Sequence, residues 1–185
     1  NTMGVSVSAA FAVVNRIDDF AYTPEQNIAH AMTALMAQNK GAGKIDRMKE
    51  GFRCGIILET IYGILIFIIC FALARPLMMM FVKDEEVIGH GVTYLHLISV
   101  MYLLPALTNG IQGFFRGIGD LKITLISSFI NMALRVLAAA PLVFIWKMGI
   151  EALPYSYLAG WIGMLVAETP LLLKTYKTWG KKAGQ

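Results

Sequence analysis

Apolar residues run through this chain in stretches too long and too uniform for a soluble core. Between residues 55 and 74 the only charged side chain is Glu59, and residues 87–115 contain no Asp, Glu, Lys or Arg. Residues 121–146 and 152–173 are similarly apolar; beyond Lys122 at the very start of the first, each holds one charge, Arg135 and Glu168. About 20 helical residues cross a hydrocarbon core, so each run is long enough. The runs are apolar on every face instead of alternating at period two, which excludes the strands of a membrane β-barrel. With an opening segment over 5–39, the pattern predicts five membrane-spanning helices at 5–39, 55–81, 87–115, 121–146 and 152–173, followed by a basic tail over 174–185.

The opening segment differs from the other four. Asn15, Asp19, Tyr22, Gln26 and His30 follow at steps of 4, 3, 4 and 4 residues, which places them on one stripe of a helix with 3.6 residues per turn. Asp18 and Glu25 flank the stripe, and Phe11, Val14, Ile28 and Leu35 occupy the other face. Pro24 is the expected bend, because it removes a backbone donor and its ring clashes with the preceding turn. Counting inward from Asn39 puts Asp19 near one boundary of the membrane and Glu25 to His30 near its middle. A charge at the bilayer centre costs about 2.5–3.5 kcal/mol on insertion scales, so such groups face a bundle interior or a water-filled cavity. Asn15, Asp18, Asp19, Tyr22, Glu25, Gln26 and His30 are therefore the candidates for lining a transport cavity and coupling to an ion. Arg16 has a plainer alternative, pairing with Asp19 at the interface. Asn131 and Arg135 recur on one face of the fourth span, and Arg135 must find an acid or several carbonyls; Glu168 on the following span is the expected partner. Glu59 is read as close enough to the helix end to reach water.

Composition agrees with lipid as the solvent. The 185 residues are 57% hydrophobic and 15% charged, whereas soluble domains carry about 25% charge. The net charge of +4 reflects membrane topology and gives no reason to expect a nucleic-acid partner. Segment 40–53 holds Lys40, Lys44, Arg47, Lys49 and Arg53, and the positive-inside rule assigns it to the cytoplasm. Alternation then places eleven basic residues inside and three outside, with the C-terminus cytoplasmic. The chain opens NTMGVSVSAA without an initiator Met or basic leader, and five spans put that end outside; at least one preceding helix is expected. GAGK at 41–44 lacks the spacing of a phosphate loop and reads as a helix end. Cys54 and Cys70 would lie about 24 Å apart on one helix, too far to bridge. The chain contains no H-E-x-x-H, no G-x-S-x-G and no Cys/His cluster with metal spacing, so neither an enzyme nor a metal or other cofactor is expected. A structural or assembly subunit of a membrane complex remains the alternative from another class.

Two motifs then carry a resemblance. MAQNKGAGKIDRMKEG and FFRGIGDLKITL are similar to the Q-N-x-G-A-G and R-G-x-G-D turns in the C-terminal half of multidrug and toxic compound extrusion (MATE) transporters, and the order of spans matches over nearly the whole chain. The resemblance implies an all-α integral membrane protein, most of the six-helix C-terminal lobe of a twelve-helix transporter, corresponding to helices eight to twelve. It further implies alternating access in a cell membrane, with Na⁺ or H⁺ exchanged for organic, expectedly cationic, drugs or toxins. The partners would then be membrane lipid, a small organic substrate and an N-terminal lobe of the same protein. A lipid-linked substrate flippase of related architecture is the runner-up. One departure concerns the ion: family members with a cation site in this lobe place an acid on the tenth helix, and residues 87–115 have none.

Overall fold

A computed structural model describes residues 5–149 and 151–182, and these form seven helices and no strand. Helix α1, Val5–Gly41, continues through Pro24. Its end follows from the glycines: Gly43 takes a φ of +67°, a left-handed conformation in which a Cβ is unfavourable, and the Lys44 N–H closes the turn on the Asn39 carbonyl at 2.9 Å. Helix α2 runs Ile45–Ala72, beginning ten residues before the apolar run itself. Pro76 ends it, since a proline excludes helical bonding to the carbonyl four residues earlier, here Ala72. The short α3, Ala74–Met79, follows.

The expected span 87–115 is two helices, α4 at Glu85–Ser99 and α5 at Leu103–Gly117, bent by 49°. Pro105 explains where the break falls. Its missing N–H leaves the Met101 carbonyl free, and the Leu104 N–H takes it at 2.9 Å in a tighter turn. Asp84 caps α4 by accepting from the N–H groups of Glu86 and Val87. Helix α6 spans Leu121–Phe144 and α7 Ala152–Lys182. The region read as a tail is thus helical to Lys182, and residues 183–185 lie outside the described residues.

Three helices, α2, α6 and Ala152–Thr178 of α7, are long and apolar enough to cross a membrane, and the bent pair α4–α5 makes a fourth. Helix α1, at 37 residues, has the length but carries Arg16, Asp18, Asp19 and Glu25. Large apolar side chains such as Ile61 and Ile68 of α2 and Ile126, Phe129 and Leu137 of α6 are exposed, as expected of surfaces that meet acyl chains instead of water.

Packing divides the helices into two groups. Helix α1 lies against α2, α4 and α5, while α6 and α7 form a hairpin held to the others chiefly through α5 and α7. Helices α1 and α5 approach closely. A Cβ added at Gly113 would stand 2.6 Å from the Ala29 carbonyl oxygen, and one at Gly117 2.6 Å from that of Thr33. The Thr33 hydroxyl donates across this seam to the Gly113 carbonyl at 3.1 Å. Two apolar cores follow one another along α1. Val14, Ile17 and Ala21 meet Tyr94, Ile98 and Tyr102 in one, and Met32 and Met36 meet Phe52, Phe114 and Phe115 in the other.

Candidate functional site

The buried positions of α1 include Val14, Ile17, Asp18, Ala21, Glu25, Ala29 and Met32, a stripe set by small residues that let α2 and α5 approach. Asp18 and Glu25 belong to this buried stripe. The Asp18 carboxylate accepts a hydrogen bond from the Tyr102 hydroxyl, and Tyr22 packs edge-on against the Tyr102 ring at 5.6 Å. Asn15, Asp18, Asp19 and Tyr22 line a cavity of about 350 Å³ together with Arg135 and Trp161. Gln26 and His30, in contrast, are exposed and do not line this cavity. The polar stripe read from spacing is therefore split: Asn15, Asp19 and Tyr22 border this cavity, and Gln26 and His30 are exposed.

A larger cavity of about 560 Å³ adjoins the first and shares Tyr22, Arg135 and Trp161 with it. It is the cleft between the α1–α5 pair and the α6–α7 hairpin. Helix α5 contributes Thr108, Asn109 and Gln112, and α6 contributes Ser128, Asn131 and Arg135. The spacing of the α6 residues, 128, 131 and 135, is that of one helix face. Amides and hydroxyls thus make most of the polar lining, with Trp161, Met132 and Met164 supplying apolar surface.

Arg135 does not pair with Glu168. Its guanidinium carbon stands 3.8 Å above the centre of the Tyr157 ring, a cation–π contact that stabilises by about 0.5–2 kcal/mol depending on desolvation. Glu168 is fully buried and one of its oxygens accepts from Gln112 Nε2 at 3.3 Å. Arg16 is exposed. The ion pairs among the described residues, Lys49–Asp46, Arg75–Glu85 and His90–Glu86, include neither Arg16 nor Asp19, so the interfacial pairing considered for them is not formed.

Glu25 has a different neighbour. It is fully buried between the two apolar cores, as is Glu59 of α2, and the two carboxyl groups lie within electrostatic reach of each other. None of their four oxygens has a well-formed hydrogen bond. The side chain of Asn109 is near enough to interact with Glu25, and the Glu59 Cγ would lie 3.4 Å from a Cβ on Gly110; the pair is thus seated at Asn109–Gly110 of α5. The expectation that Glu59 reaches water is not met: it is fully buried, its stem packed against α5 at Gly110. The usable signal was its isolation, one acid in an otherwise apolar run. Two buried carboxylates within electrostatic reach of each other in such surroundings are costly unless a proton or another cation neutralises them. No group of three His, Cys, Asp or Glu able to hold a metal occurs among the described residues, and Cys54 and Cys70 are free thiols.

This architecture has close counterparts. The MatE family model matches residues 1–140. The chain is 29% identical over 189 residues to the "Probable multidrug resistance protein YoeA" of Bacillus subtilis, covering 98% of this chain and 39% of that protein. It is 24% identical to the "Probable multidrug resistance protein NorM" of Thermotoga maritima, with 97% of this chain and 39% of that one covered. The chain therefore spans about two-fifths of the length of these relatives. Among solved structures, a MATE protein in the bent conformation superposes with a TM-score of 0.90 at 15% identity over 96% of this chain and 40% of that one. An inward-facing multidrug resistance MATE family transporter of the MOP superfamily superposes with 0.84 at 15% identity, over 89% and 37%. With most of its length matched by the family model and its helices arranged as in these transporters, the chain belongs to the MatE family of integral membrane proteins.

Proposed function

We propose that the chain forms one lobe of a secondary exporter that moves small organic molecules against the entry of Na⁺ or H⁺. The observation that carries this reading is the pairing of a polar, aromatic-lined cleft with a separate buried acid pair, both in helices whose outer faces suit lipid. A cation taken up by Glu25 and Glu59 would remove the cost of two buried carboxylates, and a ligand in the cleft would touch α1, α5, α6 and α7 at once. Both events act on α1, through Glu25 and through Tyr22 one turn before it on the same face, which provides a route for one to bias the other. The multidrug names of the relatives support the substrate class, small and organic. The expected cationic character has its support at the Asp18 and Asp19 end of the groove. The second lobe, the cell-membrane location with a cytoplasmic C-terminus, and the lipid contacts are parts of the same reading.

The test is efflux by the complete transporter from cells loaded with anionic, neutral and cationic fluorescent dyes. Glu25→Gln and Glu59→Gln are expected to abolish the component driven by an imposed Na⁺ or proton gradient at unchanged expression. Unchanged efflux of every dye would remove the coupling role of the pair.

A further inference from the structure

Beyond that reading, we infer that the groove between the start of α2 and the last apolar turns of α7 binds one anionic diacyl phospholipid, its phosphate held by Arg53 and the neighbouring lysines and its chains lying on the isoleucines and leucines below. The site requires only that the chain sit in a bilayer, not that it export. The groove encloses about 780 Å³. Its wall toward the bundle is aromatic: the Phe52 ring stands 4.8 Å from that of Phe114 and 5.5 Å from that of Tyr176, centre to centre. The Tyr176 hydroxyl donates to the Lys49 carbonyl at 3.2 Å, which ties the two helices together at the polar end of the groove. Away from that end, Ile56 and Ile57 of α2 and Leu172 and Leu173 of α7 line it, and Ile57 and Leu173 are exposed. From Lys49 to Ile57 the groove follows α2 for about 12 Å at 1.5 Å per residue, which is the direction of an acyl chain and not across it.

What covers this face follows from where the charges stop. No Lys or Arg occurs between Arg53 and Arg75, and none between Lys147 and Lys174. Both helices therefore pass from basic to lipid-compatible sequence at the level of the groove, which marks the boundary between head groups and acyl chains. A basic pocket between spanning helices at that depth suits an anionic head group. Lys49 and Arg53 line the groove, and Lys174 and Lys177 border an adjoining cavity of about 630 Å³ that shares Leu173 with it. Acids offset these cations only in part. Glu50 also lines the groove, and Asp46 meets Lys49 at 3.7 Å in an exposed pair. Arg53, Lys174 and Lys177 are exposed and enter no ion pair among the described residues. The surplus is positive, so a zwitterionic head group, whose own cation would meet the same side chains, fits less well than an anionic one. A phosphate without chains would leave the apolar part of the groove uncovered.

The test is native mass spectrometry of the purified 185-residue chain in a nonionic detergent, titrated with dioleoyl phosphatidylglycerol, dioleoyl phosphatidylcholine or glycerol phosphate. One phosphatidylglycerol is expected to bind about tenfold or more tightly than phosphatidylcholine, since each basic residue at a lipid surface contributes about fivefold. Glycerol phosphate, which lacks the chains, is expected not to bind over the same range. Arg53→Gln and Lys177→Gln should each weaken phosphatidylglycerol binding about fivefold. Lys83→Gln, an equal loss of charge at an exposed residue of the opposite end of the bundle, should leave it unchanged. Equal binding of the two lipids would overturn the inference in favour of ordinary boundary lipid, and binding of glycerol phosphate as tight as that of the lipid would overturn it in favour of a soluble phosphate ligand. Survival of the preference when Arg53→Gln and Lys177→Gln are combined, or its loss in Lys83→Gln, would place the lipid elsewhere and overturn the site. The same titration is made on a complete transporter containing this chain; a preference absent there would mean that protein covers the groove, which also overturns it. None of these outcomes depends on gradient-driven efflux, so the lipid site and the exporter reading fail separately.

Discussion

At the scale of single residues, the polar groups of the spanning helices divide into those the protein satisfies and those it leaves open. Asp18 is satisfied by one donor, the fully buried Tyr102. Removing that hydroxyl leaves a buried carboxylate without a partner, and the cost of such a group is about 1–3 kcal/mol. Tyr102→Phe should therefore lower the thermal unfolding midpoint of the purified protein; an unchanged midpoint would mean that Asp18 finds another donor. Glu25 and Glu59 are the open case. Glu59→Gln replaces one of the two buried carboxyls with a neutral amide of the same shape and removes its repulsion of the other. The variant is expected to be more stable than the parent by about 1 kcal/mol, the net worth of one hydrogen bond, while gradient-driven efflux is lost. Stability and activity moving in opposite directions is the mark of a site kept for function, and a loss of both would mark Glu59 as a structural residue.

Between elements, the α1–α5 seam limits how far either helix can shift, because its contacts are backbone against backbone at Gly113 and Gly117. Gly113→Ala should destabilise by about 1–3 kcal/mol, as overpacking does. Gly89→Ala on α4, where an added Cβ meets nothing within 4 Å, should stabilise by about 0.5–1 kcal/mol through the lower helix propensity of glycine. Denaturation of the two variants in detergent checks both signs. The element scale is also where the sequence was most and least readable. The turn at Gly43 and the existence of long apolar helices follow directly from local chemistry. The start of α2 does not, because residues 45–54 are polar enough to resemble a loop and are helical through packing on α1 and α7. The face of α1 that packs inside this lobe is not readable from spacing for a related reason. Spacing alone offers several stripes, and the one that packs is chosen by Ala21 and Ala29, whose smallness matters only once α2 and α5 are in place. Arg135 was paired by topology with the nearest acid, whereas Gly160 and Tyr157, one turn apart on α7, provide its seat.

At the scale of the whole molecule, charge and contact agree on which ends of the helices belong together. The Lys40 ammonium donates to the Ile118 carbonyl, joining the turn after α1 to the turn after α5. The Tyr176 hydroxyl donates to the Lys49 carbonyl at 3.2 Å, joining the late part of α7 to the start of α2. Three connections that carry most of the basic residues are thus held at one end of the bundle. The opposite end presents the α3–α4 turn, where Arg75 and Glu85 form a two-pronged bond at 2.8 and 3.0 Å, and the loop containing Lys147. Moving a bundle with this asymmetry into a membrane the other way would carry the basic cluster across the bilayer, which the positive-inside bias opposes. Single cysteines placed at Lys83 or Lys147, in a background with Cys54 and Cys70 replaced by Ala, should react with a membrane-impermeant maleimide in intact cells. Cysteines at Lys44 or Asp120 should react only after permeabilisation. Labelling of all four in intact cells, or the reverse pattern, would invert the assignment.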